Sequence, residues 1–204
     1  VYWTSSAGEE GGRVQIFARP ADGSEETKPI LPAGYNCRTQ AHEYGGGAFT
    51  VQKNNLYFSN FADKRLYKID LSNPSQVIPI VPENPFHRYA DLAVDKEHRF
   101  IICVREEHFE NETPKDVINV LVAIDLQQDN LDDAVKVVAE GADFYISPRL
   151  NPDSTELAYI SWNHPNMTWD FTQLHLATIS YSNGVQVSND KCVLGDKTEE
   201  SIMV

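Results

Sequence analysis

Positive charge is scarce: 17 Lys and Arg face 30 Asp and Glu among 204 residues, a formal net charge of −13. A surface of that sign repels duplex nucleic acid and anionic membrane, so neither is expected as a partner. Long hydrophobic runs are missing too, and nothing approaches the roughly 18 apolar residues of a membrane-spanning helix. Cysteine occurs only at Cys37, Cys103 and Cys192. With no C-x-x-C pair, a zinc knuckle or dithiol motif is excluded, and a reducing, cytoplasmic compartment is expected. None of the eleven glycines opens a G-x-S-x-G, and no cysteine stands beside a His/Asn motif. The chain by itself therefore shows no reaction centre. No cofactor is expected and no metal: His42, His108 and His164 lie far apart, and Asp129, Asp132 and Asp133 lack the glycine and glutamate of a calcium loop. Helical periodicity is nearly absent, with Leu131 to Val135 offering one turn at most.

What is present is a repeat. Tyr44-Gly-Gly-Gly-Ala-Phe49, Tyr89-Ala-Asp-Leu-Ala-Val94 and Tyr145-Ile-Ser-Pro-Arg-Leu150 are each followed by a polar turn and a second run, Leu56 to Ser59, Phe100 to Cys103 and Leu157 to Ile160. From each tyrosine to its second run the offset is 12, 11 and 12 residues. Third runs follow at Leu66 to Leu71, Leu121 to Leu126 and Leu174 to Ile179, and fourth runs at Val77 to Val81 and Val135 to Val138. Four β-branched or aromatic runs per unit, parted by Asn, Asp, Gly and Pro turns, describe a four-stranded antiparallel meander. Asp70 to Asp125 spans 55 residues and Asp125 to Thr178 spans 53. A period of that length with four strands is the mark of a β-propeller blade.

The expected fold is therefore all-β, a partial β-propeller of three to four blades. The blades are read at 1–43 (incomplete), 44–85, 89–140 and 145–197, with a further one starting at 198–204. Both ends look cut, so a piece of a longer polypeptide is expected. An open arc exposes sheet edges, which leaves two ways of closing: more polypeptide, or a homo-oligomer of half-rings.

Strands A to D of a meander alternate in direction, so the D–A and B–C connections share one rim. That rim collects the unusual residues: His42 and Glu43 before the glycines, the run Arg105-Glu106-Glu107-His108, and Trp162-Asn163-His164. Long loops on a rigid scaffold are where binding sits. The glycine run Gly45-Gly46-Gly47 lacks the Lys-[Ser/Thr] of a phosphate cradle and reads as close backbone packing. The three tyrosines read as blade-to-blade packing. For Glu106 and Glu107 two readings stand: an ion pair with Arg88 or Arg149, or recognition of a cationic group such as a peptide amino terminus.

The strings His42-Glu43-Tyr44-Gly45-Gly46-Gly47-Ala48-Phe49, Leu56-Tyr57-Phe58-Ser59-Asn60-Phe61, Arg88-Tyr89-Ala90-Asp91-Leu92, Cys103-Val104-Arg105-Glu106 and Ser161-Trp162-Asn163-His164-Pro165-Asn166-Met167 resemble the amino-terminal propeller of prolyl-oligopeptidase-type (S9) serine peptidases. The likeness is strongest to the acylaminoacyl-peptidase and dipeptidyl-aminopeptidase branch and covers essentially the whole chain. Asn151-Pro-Asp-Ser154 departs from that family's usual Ser-Pro-Asp-Gly turn. The resemblance implies a propeller that caps an α/β-hydrolase domain of the same polypeptide, gates access for short peptides and helps bind them. It carries no triad residue into this chain. It implies that Arg105, Glu106, Glu107 and His108, with Trp162, Asn163 and His164, and with His42 and Glu43, face the hydrolase domain or the peptide. A stand-alone interaction propeller of the TolB type is the alternative.

Overall fold

Fifteen strands account for almost all regular structure in the computed structural model, which describes residues 1–195 and 201–202. Strands β1 (Tyr2–Ala7), β2 (Arg13–Ala18) and β3 (Lys28–Pro29) form a three-stranded sheet. A second sheet holds β4 (Phe49–Gln52), β5 (Asn55–Ser59), β6 (Leu66–Asp70) and β7 (Val77–Pro79). The third holds β8 (His87–Val94), β9 (Phe100–Glu107), β10 (Ile118–Asp125) and β11 (Val135–Ala139). The fourth holds β12 (Phe144–Leu150), β13 (Glu156–Trp162), β14 (Gln173–Tyr181) and β15 (Val185–Leu194). Within every sheet spatial order follows chain order, the meander that the repeat predicts. The one α-helical turn among the described residues, α1 (Leu131–Ala134), is capped by the Asn130 side chain, which accepts from the Asp132 amide. No helix among the described residues is long and apolar enough to cross a membrane. Of the blade expected to start at 198–204, only Ser201 and Ile202 lie within the described residues.

The chain divides into two compact units, Val1–Ala90 and Asp91–Val204, the division falling within β8. In the first unit the core gathers Ile16, Leu31, Leu56, Phe58, Tyr67 and Ile69. Tyr35 stands edge-on to both Phe58 and Tyr67. Gln15 is buried here, and its amide replaces sheet hydrogen bonding. Its Oε1 accepts from the Ile16 and Leu31 amides (2.9 and 2.8 Å), and its Nε2 donates to the Leu31 carbonyl (3.0 Å). Gln15→Leu leaves those backbone groups unpaired and is expected to cost about 2 kcal/mol in urea unfolding; an unchanged midpoint would show that water reaches them.

The second unit has its own core of Phe100, Ile102, Val104, Leu121, Tyr145 and Leu157. Strand β9 is buried along most of its length, since it lies between β8 and β10. Hairpin β14–β15 closes through Asn183 and Gly184, both with positive φ (60° and 97°), the geometry a two-strand turn of this twist needs.

One clamp recurs in three sheets. A side chain at the start of each third strand donates to the carbonyl of the connection that follows the fourth. Arg65 donates through Nε and Nη2 to the Val81 carbonyl (3.2 and 2.7 Å), Asn119 through Nδ2 to that of Asp143 (2.9 Å), and Thr172 through Oγ1 to that of Ile202 (3.1 Å). Each ties a connection back to its own meander.

The tyrosine register needs a correction. Tyr89 and Tyr145 are buried inside β8 and β12, but Tyr44 is 80% exposed. β4 does not begin until Phe49, so Tyr44 lies outside any strand. Left-handed backbone at His42, Glu43 and Gly45 turns the chain first, with the Gly45 amide closing onto the Ala41 carbonyl at 2.9 Å. A Cβ on Gly45 would meet the Thr39 carbonyl oxygen at 3.2 Å. That supports the close-packing reading at this glycine.

Candidate functional site

The pleat of β9 separates the charged run. Residues two apart share a face of a strand, so Arg105 and Glu107 lie together and form an ion pair. Glu106 and His108 take the other side. There His108 Nε2 lies 2.6 Å from Glu106, its Nδ1 lies 2.5 Å from Glu112, and both the imidazole and the Glu106 carboxylate are buried. Glu112 also accepts from the Phe109 amide (2.7 Å), so one carboxylate fixes the start of the loop after β9. The loop then closes through a short 3-10 turn, where Asp116 accepts from the Thr113 amide and hydroxyl. Those bonds hold the Asp116 carboxyl below the ordinary carboxylate value. Of the two arginines expected from sequence to pair with the carboxylates, Arg149 instead donates to the Pro148 carbonyl, and the partner of Glu107 is Arg105 from its own strand.

The long connection after β13 is built differently. Trp162 is buried and stacks on Phe144, ring centroids 5.0 Å apart and nearly parallel. Asn163 and His164 are exposed, but both are anchored to Asp143: its amide donates to Asn163 Oδ1 (2.7 Å) and its carboxylate accepts from the His164 amide (2.8 Å). The His164 ring sits edge-on to Phe144. Asp170 accepts from the Met167 amide (3.3 Å), and the loop presents Met167 and Trp169 to solvent. Trp162 thus supports this loop from beneath, whereas Asn163 and His164 shape its surface.

In the first unit, His42 and Glu43 occupy the turn before β4. Glu43 is exposed and paired with Arg88 at 2.7 Å, and Arg88 also donates to the Gln40 carbonyl (2.9 Å).

Two groups escaped sequence reasoning. Asn119 and Asp143 have no motif around them, and only the sheet brings them together. Ser161, His175 and Asp190 come from three neighbouring strands and form a line, Ser161 Oγ to His175 Nε2 at 3.1 Å and His175 Nδ1 to Asp190 at 3.3 Å. The order resembles a hydrolytic triad, but Ser161 is 2% exposed and Asp190 also accepts from the Tyr159 hydroxyl, whose ring stacks on His175. A sealed hydroxyl in a satisfied network ties strands together rather than attacking a substrate. The two buried thiols offer no nucleophile either: burial pushes Cys37 up to about 12 and raises Cys103 as well, so both stay protonated at neutral pH.

No family model matches the chain, and no curated protein matches it. Solved structures do. A puromycin-hydrolyzing peptidase of Mycobacterium tuberculosis is 28% identical over 94% of this chain, with a TM-score of 0.79. A puromycin hydrolase mutant complexed with PGG is 28% identical over 95%, with a TM-score of 0.82. The chain spans 30% of the length of each. TolB from Acinetobacter baumannii, at 12% identity, a TM-score of 0.51, 93% of this chain and 42% of its own, shares the fold alone. Set beside the meanders and the motifs, these likenesses make the chain a partial β-propeller similar to the propeller portion of S9-type serine peptidases, puromycin-hydrolysing ones among them.

Proposed function

We propose that this chain is the substrate-gating and peptide-binding propeller portion of an S9-like serine peptidase, non-catalytic by itself and working with an α/β-hydrolase domain of the same cytoplasmic polypeptide. The likeness at 28–29% identity over 94–95% of the chain carries the reading. Each sheet is taken as one blade, with boundaries near 43, 85–89 and 140–145 as the repeat gives them. Substrates are short peptides and aminoacyl amides of the puromycin kind. The end of β9 and the connections after β9 and β13 supply the peptide-facing surface, because they carry fixed polar groups (the Glu106 carboxylate, Asn163, His164) beside exposed Met167 and Trp169.

The intact gene product is expected to hydrolyse puromycin and short peptides, while residues 1–204 alone leave both untouched. Glu106→Gln should lower kcat/KM on the order of tenfold for peptides with a free amino terminus, the worth of one charge-assisted hydrogen bond. Glu107→Gln should change it less, since Arg105 already occupies that carboxylate. Absence of any hydrolysis by the intact product would replace this reading with that of an interaction propeller of the TolB kind, whose present support is the shared fold.

A further inference from the structure

We propose that the outer edge of β1 is a strand-docking site, filled by an extended segment of the same polypeptide that runs antiparallel to β1 and enters it through a short hairpin. The inference rests on the reading above in one respect, that residues 1–204 belong to a longer chain. Among the described residues the first sheet has three strands where the others have four, and a clamp shows which one it lacks. In the four-stranded sheets the clamping side chain stands at the start of the third strand and holds the connection after the fourth. Here Arg13, the first residue of β2, donates through Nη1 to the Tyr35 carbonyl (3.0 Å), in the connection after β3. Strand β2 thus takes the place of a third strand, β3 of a fourth and β1 of a second. The place of the first lies beside β1.

Burial and hydrogen bonding agree. Residues 56–59 of β5, 100–104 of β9 and 159–162 of β13 are buried, whereas residues 1–6 are all exposed. Val1 and Arg19 exchange both backbone bonds, the Arg19 amide to the Val1 carbonyl (3.0 Å) and the Val1 amino group to the Arg19 carbonyl (2.7 Å). Such pairs alternate along an antiparallel ladder. In this register the N–H and C=O groups of Tyr2, Thr4 and Ser6 therefore point away from β2.

Exposed edges are ordinarily blunted by shortness, charge, proline or a bulge. At the other side of this sheet β3 is only Lys28 and Pro29, and β7 is three residues ending in Pro79. Strands β11 and β15 carry lysine and pair irregularly. Strand β1 is six residues, Tyr-Trp-Thr-Ser-Ser-Ala, with no charge, no proline and no break in register. It has the character of an inner strand.

Topology names the occupant. In each complete sheet the first strand directly precedes the second, with residues 53–54, 95–99 or 151–155 between them. The segment on β1 is accordingly the one that leads into Val1. A second copy is disfavoured, because each chain carries −13. The puromycin-hydrolysing relatives, of which this chain spans 30%, have ample length for such a strand. In the second sheet β4 sets Phe49 and Val51 opposite Phe58 and Leu56 of the core. Thr4 lies opposite Ile16, of the same core. The docked strand should therefore be apolar at alternate positions, with one such residue beside Thr4.

Hydrogen exchange resolved to single amides in the intact gene product tests the edge. The Trp3 and Ser5 amides bond to β2 in either case and serve as the reference. Those of Thr4 and Ser6 should be protected as well, on the order of a hundredfold beyond an unstructured peptide. Free exchange at Thr4 and Ser6 beside protected Trp3 and Ser5 overturns the proposal. A photo-crosslinker in place of Thr4 then identifies the occupant. Capture of a peptide that ends within about five residues of Val1 supports the assignment. Capture of a second copy, of a segment beyond Val204 or of no protein overturns it. The peptidase reading fails by a different result, a gene product that hydrolyses neither puromycin nor peptides while Thr4 and Ser6 stay protected.

Discussion

Replacing Asp95 by Ala should destabilise the second unit by about 3 kcal/mol at neutral pH, the lower end of what removing one partner of a buried ion pair costs. Asp95 has no exposed surface and accepts five hydrogen bonds' worth of local structure through two oxygens. Oδ2 takes the Glu97 amide (3.2 Å), the Arg99 amide (3.1 Å) and Arg99 Nε (2.8 Å), while Oδ1 takes Arg99 Nη2 (2.9 Å); Ser154 adds a fifth. The lower end applies because the Arg99 side chain is 34% exposed and can be rehydrated when its partner is gone. Arg99 is also held over the Tyr181 ring at 5.0 Å, and the Tyr181 hydroxyl donates to Asp125 (3.0 Å), so the loss reaches the end of β14 in the neighbouring meander and the end of β10 in its own.

The same pair sets an acid limit. Burial alone would raise the Asp95 carboxyl, but hydrogen bonds from Arg99 and Ser154 outweigh it and hold the group below its ordinary value. A carboxyl lowered in the folded state adds stability that is complete above its unfolded value, near 3.9, and is lost as pH falls through the folded value. Urea midpoints measured between pH 7 and pH 3 should therefore fall toward acid more steeply for the wild type than for Asp95→Ala. Parallel curves would show that the pair adds nothing to acid stability.

Phe100→Ala should cost about 4 kcal/mol, within the range for deleting a buried phenyl ring. Phe100 is fully buried at the start of β9, its ring stacks on Tyr181 at 5.9 Å, and its neighbours come from both sheets of the second unit. Phe100→Leu keeps most of the volume and should cost about 1 kcal/mol. The pair of variants tests the mechanism. A void explains the gap between them, whereas equal losses would assign the effect to the aromatic contact itself.

Much of the fold is legible in the chain because period-two runs and turn residues act locally. Leu56 to Ser59, Phe100 to Cys103 and Leu157 to Ile160 all lie in strands, and Leu131 to Ala134 is the single α-helical turn among the described residues. Tyr44 shows the limit of that reading. Its spacing matched Tyr145, but left-handed residues on either side of it, His42, Glu43 and Gly45, shifted the strand start, a choice made by backbone sterics rather than hydrophobic pattern. For the site, the alternation along β9 already parted Glu106 from Glu107, yet which cation met which carboxylate was set by the loop that brought Glu112 to His108.

The sequence by itself determined that four meanders would form, where their turns fall, and which ends of the strands gather charged and aromatic residues, since each depends on neighbours a few positions away. Only the tertiary structure decided that Asp143 would spend its amide on Asn163 and leave the Asn119 oxygen without a hydrogen-bond partner among the described residues. Those residues lie 20 and 24 positions apart in pairs. Sheet register, fixed by burial along whole strands, sets such distances, and no local preference for Asn or Asp encodes them.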